Sequence, residues 1–325
     1  MPEDTVADDA RPVPVKPISG GSLREAELPA VVAIAVPAAE VSESPFAQGL
    51  RRLRRSATAL VGVAIVAALI VVAIFADALA PRSPTINDQT RTFTAPSWDY
   101  PLGTDQLGRD MLSRVIHGTR ISLLVGVSSV LLALFIGVPF GMIAGFYGGR
   151  VDALVMRVMD LILAFPIYLL AIILMVIFTP TAGLIGIVKV TGAIAIVRIP
   201  IYARLVRGSV LSIKEKEYVE ACRALGVRDP WILFRHVLPN CLAPIIVTTT
   251  LGIGTSIIVE ATLSFLGLGT QPPTPSWGWD LKANVAFIQA SPWLSLFPGL
   301  AIFVTVLGFN LFGDGLRDAL DPRLK

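Results

Sequence analysis

Five stretches of this chain run for more than twenty residues without an Asp, Glu, Lys or Arg, and no other feature limits its folds as strongly. They cover 56–76, 121–149, 161–188, 236–259 and 283–313. A hydrocarbon core about 30 Å thick needs about 20 apolar residues at a 1.5 Å rise each. In lipid the backbone must satisfy its own polar groups, so such runs become helices. A further apolar stretch, 183–202, is interrupted only by Lys189 and Arg198. The 161–188 run is too long for one crossing, and Thr179-Pro180-Thr181-Ala182-Gly183 supplies a break. The pattern predicts an all-α polytopic membrane protein. Its six transmembrane helices lie near 57–79, 121–146, 156–178, 183–203, 241–265 and 292–312. Composition supports this: 54% of the 325 residues are hydrophobic and 16% charged, against about a quarter charged in a soluble domain.

Lys and Arg set the orientation. With both termini and the 204–240 loop in the cytoplasm, 19 of the 27 basic residues lie inside and six outside, and Lys189 and Arg198 lie within the fourth helix. The cluster Arg51, Arg52, Arg54 and Arg55 before the first helix is the strongest anchor. Residues 1–50 differ in kind, with eight acidic and three basic side chains up to Gly49 and many prolines. They read as a solvated, disordered cytoplasmic tail or a regulatory docking tail. No basic region precedes their apolar patch, so it is not a secretory signal. The net charge of +3 gives little basis for nucleic-acid binding. Two cysteines, Cys222 and Cys241, make no disulfide framework, and two histidines, His117 and His236, make no His-rich metal site.

The loop after the fourth helix carries the most information. Tyr218, Ala221, Cys222 and Leu225 recur at three- and four-residue spacing, which predicts one apolar helix face. Gly226 is placed to end that helix in a left-handed conformation. Asp229 reads as the N-cap of a second short helix with Pro230 behind it, and Pro239 as a break at the next membrane entry. Two short helices at an angle would form a projecting knob with small residues Ala221, Cys222 and Ala224 on its surface. Such a knob fits a groove on a cytoplasmic partner.

The pattern Glu220-Ala221-Cys222, three residues, Gly226, nine residues, His236-Val237-Leu238-Pro239 resembles the EAA loop, the ATPase-docking signature of ABC importer permeases. Cys222 stands where that signature has alanine and His236 where it usually has isoleucine. The resemblance extends over roughly 50–325. Pro101-Leu-Gly-Thr-Asp-Gln-Leu-Gly-Arg-Asp110 with Arg114, Tyr202-Ala-Arg-Leu-Val-Arg-Gly208, Ser264-Phe-Leu-Gly-Leu-Gly269, Gln271-Pro-Pro-Thr-Pro-Ser-Trp-Gly278 and the tail from Gly313 to Arg323 are similar to the C-type permease of the dipeptide/oligopeptide/nickel importers. That resemblance implies a type I ABC importer permease fold over 51–325 with a coupling loop at 204–240. It implies coupling residues Glu220, Ala221, Cys222, Gly226, Leu238 and Pro239. It also implies an assembly in the bacterial plasma membrane. This chain and a B-type permease form the pore, two cytoplasmic ATPases bind ATP and Mg²⁺, and an extracytoplasmic binding protein delivers di- or oligopeptides. The chain itself would bind no cofactor and catalyse no reaction, and it contains no Gly-x-x-x-x-Gly-Lys-[Ser/Thr] loop.

Charges within the helices are costly and therefore candidate functional groups. Glu260 reads as a lining residue of the translocation path, as partner to a basic group, or as a packing residue at a subunit interface. Arg198 reaches headgroups or lines the inward cavity. Lys189 snorkels outward, and Asp160 complements the start of the third helix. The outer loops 81–120 (Trp98, Tyr100) and 266–291 (Pro272, Pro273, Pro275, Trp277, Trp279) would face the binding protein, or their aromatics would sit at the membrane interface as in any membrane protein. An ion-coupled secondary transporter would instead show an internal repeat and more intramembrane carboxylates. A membrane enzyme would need facing nucleophile, base or metal ligands, which His117 and His236 do not supply.

Overall fold

Asp110 shows how local chemistry sets the longest helix. Its carboxylate accepts the Ser113 N–H at 2.8 Å, and 37 unbroken helical residues follow, Met111–Tyr147. In the computed structural model the described residues are 51, 53, 54 and 56–320. The expectation for the tail 1–50 and the last five residues lies outside them. Helix α1 is Ala57–Ile74, opened by Ser56, whose hydroxyl accepts the Ala59 N–H, and α2 is the short Ala76–Leu79. Then come α3, Met111–Tyr147, α4, Gly149–Leu163, α5, Ile167–Phe178, and α6, Gly183–Ile213. Short helices α7, Glu217–Ala224, and α8, Asp229–Ile232, form the hairpin. A π-helical turn over Leu233–Val237 joins α8 to α9, Leu238–Phe265. Helix α10 is Trp277–Asn284, and α11 is Trp293–Leu320. Five helices among the described residues are long and apolar enough to cross a membrane, or six with α4 and α5 taken as one bent span.

Several spans differ from the sequence expectation, and in three of them charge or proline is the reason. Helix α3 starts ten residues before 121 because its charged first turns have partners. Arg120 reaches Asp77 at 3.0 Å, and Arg114 reaches Asp280 at 2.5 Å. Helix α6 continues past 203 because Arg204 pairs with Asp160 at 2.5 Å and Arg207 grips Asp152 at 2.5 and 2.6 Å. Asp160 thus sits in the last turn of α4, paired with α6, and not at the start of a helix. The stretch 156–178 is no straight span: α4 and α5 meet at 87°. Pro166, with ψ 133°, opens α5; it has no N–H to donate, and proline disfavours helix in the residue before it.

The α3–α6 pair has the most extensive contact in the bundle. Gly137, Gly141 and Gly145 recur every four residues along α3, where a side-chain carbon would strike α6 at Ile199 O, Ala203 O and Val210. In lipid, such small residues let two helix backbones approach closely and gain dispersion contact. Helix α11 packs on α1 in the same way, with Gly315 against Ala59 and Gly308 against Ile65.

Candidate functional site

The hairpin is held from beneath by one apolar cluster. Val219 of α7, Ile232 of α8 and Leu233 and Val237 of the π turn are buried with Val138, Met142 and Phe146 of α3, Val206, Val210 and Ile213 of α6, and Cys241 and Ile245 of α9. Its inward face is therefore centred on Val219, with Cys222 half-buried. This corrects the expected face: Leu225 is 83% exposed and Tyr218 is exposed as well. The apolar side chain of Leu225 belongs to the crown.

Gly226 ends α7 at φ +74°. The Val227 N–H donates to Cys222 O at 3.1 Å and the Gly226 N–H to Arg223 O at 2.9 Å, the paired bonds of a Schellman turn. A Cβ added there would find nothing within 4 Å, so backbone conformation, rather than close packing, calls for glycine. Arg228, not Asp229, caps α8, with Asp229 in the first turn and Pro230 behind it. Pro239 does not break the chain. The Leu238 N–H bonds back to Leu233 O across the π turn, so the wider turn absorbs the proline's missing donor. Residues 229–265 thus run as one continuous rod.

Of the predicted coupling residues, Glu220, Ala221, Gly226 and Pro239 are exposed, while Cys222 and Leu238 are half-buried against the cluster. The Glu220 carboxylate has no partner among the described residues. Trp231 and Phe234 are 61% and 66% exposed; their apolar character is plain in the sequence, but their outward direction is not. Arg223 stacks on Phe146 at 4.8 Å, and Lys214 Nζ donates to Gly145 O at 2.9 Å. The Tyr218 hydroxyl accepts from Asn240 Nδ2 at 3.4 Å, and partial desolvation of this exposed side chain holds its phenol above the ordinary value.

Glu260 and Arg198 lie apart. Glu260 is wholly buried. Its carboxylate accepts from Ser264 Oγ at 2.7 Å, Ser276 Oγ at 3.0 Å and Ser122 Oγ at 3.5 Å. It therefore ties α9, the following loop and α3 together inside this chain and has no basic partner among the described residues. Lys189 folds back to the Thr179 carbonyl at 2.9 Å. Arg198 turns toward α9. It donates to Thr255 Oγ1 of α9 and lines a cavity of about 280 Å³.

At the end of the bundle opposite the hairpin, the loops form a polar cap. Arg114 Nε and Nη2 both donate to Asp280 Oδ1, at 2.7 and 2.5 Å, with both side chains buried. Burial pushes the Asp280 carboxyl up against the pull of the Arg114 guanidinium. Asp105 accepts from Arg109 Nε at 2.7 Å and from two backbone N–H groups at 2.9 Å. The Trp277 indole donates to Val115 O at 2.9 Å. Sequence alone offers no signal for the Arg114–Asp280 pair, whose members stand 166 residues apart.

A helical bundle with an apolar-rooted hairpin at one end and a locked cap at the other is matched by known proteins. Residues 137–325 match the family described as binding-protein-dependent transport system inner membrane component. Residues 44–96 match the N-terminal TM domain of oligopeptide transport permease C. The dipeptide transport system permease protein DppC of Alkalihalophilus pseudofirmus is 45% identical over 282 residues, 87% of this chain and 91% of the relative. The glutathione transport system permease protein GsiD of Pectobacterium atrosepticum is 45% identical over 283 residues, 87% and 92%. The di/tripeptide permease DppC of Pseudomonas aeruginosa is 43% identical over 291 residues, 88% and 94%. A solved inward-facing MetNI methionine ABC transporter has the same fold at TM-score 0.52 and 20% identity, over 65% of this chain and 98% of its own. With relatives so similar over most of its length and a family match over more than half of it, the chain belongs to the binding-protein-dependent transport system inner membrane components, as a pore-forming permease of an ABC importer.

Proposed function

We propose that this permease carries small peptides inward, paired with a B-type permease, driven by two ATPases that bind ATP and Mg²⁺, and supplied by an extracytoplasmic binding protein. The names of relatives that transport dipeptides, di/tripeptides and glutathione support the cargo. One observation carries the mechanism: a single apolar cluster roots the hairpin in α3, α6 and α9 at once. A push on the hairpin therefore cannot be taken up by one helix alone. Both termini and the hairpin face the cytoplasm, where ATP is available. The exposed crown of Glu220, Ala221, Leu225, Trp231 and Phe234 enters a groove on an ATPase, and Glu220 supplies its polar contact. Closure of the ATPases around ATP draws this hairpin toward its counterpart, and the helices rock from inward- to outward-facing. Hydrolysis resets them.

The test is peptide import by the reconstituted assembly in vesicles. Glu220→Lys should cut ATP-driven import at least about tenfold, the equivalent of about 1.4 kcal/mol of coupling, while the subunits still co-purify. Full import by an intact Glu220→Lys assembly would remove the hairpin from the mechanism. Import that ignores ATP and collapses with the proton gradient would make the protein an ion-coupled transporter. Protease digestion of the tail in inverted but not in right-side-out vesicles is the expected result for cytoplasmic termini.

A further inference from the structure

Five arginines lie in the two long central helices, and four of them face a carboxylate. Arg114 meets Asp280, Arg120 meets Asp77, Arg204 meets Asp160 and Arg207 meets Asp152. Arg198 has no acidic partner among the described residues. Its Nη2 donates to the Thr255 hydroxyl. That hydroxyl spends its own proton on the Gly252 carbonyl at 3.0 Å. The buried Arg198 Nε has no partner among the described residues. A guanidinium offers five N–H donors in a planar fork suited to a carboxylate.

The depth of this group makes an unpaired charge costly. Thr255 lies ten residues from the end of α9 at Phe265, about 15 Å along the helix and so about half the thickness of the hydrocarbon core. An uncompensated cation there is expensive, and it persists only where it has work to do. Around it is a cavity of about 280 Å³ walled by Ile167, Tyr168, Ile194, Val197 and Ile201. That is near the lower end of the roughly 300–1,000 Å³ typical of small-molecule sites. The bend between α4 and α5 sets Ile167 and Tyr168 at its rim.

The geometry points to Arg198 as a way-station for the free C-terminal carboxylate of a small peptide in mid-membrane, with Thr255 holding the guanidinium and the apolar wall receiving side chains of varied shape. This rests on the peptide-import reading and adds to it the end of the cargo that is recognised. Oppositely charged pairing at a desolvated site, lost again as the helices rock, would hold the cargo briefly without trapping it.

The experiment uses the complete reconstituted assembly with its binding protein and two probes, a free-acid dipeptide and its C-terminal amide. Arg198→Gln should lower import of the free acid about ten- to a hundred-fold, the range expected for one charge-assisted contact. Arg198→Lys should lower it far less, and binding-protein-stimulated ATP hydrolysis should fall by a smaller factor than import in both. The variant-to-wild-type ratio for the amide should stay near one. An equal fall for both probes, or a fall in stimulated ATP hydrolysis as large as that in import, would make Arg198 a structural or inter-subunit group and overturn the proposal. Unchanged import of the free acid would overturn it too. If the wild type does not carry the amide, equal loss in Arg198→Lys and Arg198→Gln overturns it. Import by the wild type that does not need ATP would defeat the import mechanism instead, and that control is read first.

Discussion

At Gly226 the space around the α-carbon is open and the backbone conformation alone is demanding. With φ at +74° and nothing within 4 Å of a Cβ, Gly226→Ala meets no neighbour but carries the left-handed penalty of about 1–2 kcal/mol. Asparagine tolerates that region better. Hydrogen exchange over 217–237 should therefore quicken clearly in Gly226→Ala and less in Gly226→Asn; equal exchange in both would remove the left-handed turn as the cause. Asp280 is the opposite case, where partner and burial decide. Asp280→Ala strands the buried Arg114 charge, a loss of about 3–5 kcal/mol. It should lower the thermal midpoint of the purified assembly well below that of Asp160→Ala. The latter breaks a pair of half-exposed side chains, worth about 0–1 kcal/mol. Replacing Arg114 and Asp280 together by Met and Leu should regain most of the loss. Similar midpoints for the two single variants would show that the buried pair carries no special weight.

Among the elements, the contact of α3 with α6 is specified by what is missing from α3. Gly141→Leu would drive a side chain into the Ala203 carbonyl and Val206, separating two backbones whose attraction in lipid comes largely from close approach. The expected result is loss of the folded permease from membranes. Gly208→Ala, also helical but facing open space, should be neutral or stabilising by up to about 1 kcal/mol. Equal expression of both would mean that the glycine spacing along α3 does not hold the pair. The bent α4–α5 element owes its course to Pro166 and to the two acid–arginine pairs that lay α4 along the lower part of α6. Neither pair follows from hydropathy, which sees only that 161–178 is apolar.

Across the whole molecule, the cluster under the hairpin joins elements more than 100 residues apart, from Val138 to Ile245. If it transmits motion, loosening it should separate ATP turnover from transport. Ile232→Ala leaves a cavity at a fully buried site, costing about 2–5 kcal/mol. Import should fall by a larger factor than ATP hydrolysis in the reconstituted assembly. A proportional fall in both would count against a mechanical role for this core. The membrane class, the approximate helices and the hairpin's Gly226 are all legible in the sequence. The hairpin's inward face is not, because Val219 lies one position from the Tyr218–Leu225 spacing that periodicity favours.

Runs without charge settle by themselves that the chain enters a bilayer, since no other solvent accepts so much apolar helix without water. The spacing of Glu220, Gly226 and Pro239 likewise marks the hairpin, because a left-handed glycine and an N-terminal proline are local backbone demands. Which charges are neutralised was decided only in three dimensions. Glu260 disappears among three serines and Arg114 finds Asp280, whereas Arg198 is left facing a cavity. A charge's cost depends on the atoms within a few ångströms of it, and those come from distant parts of the chain.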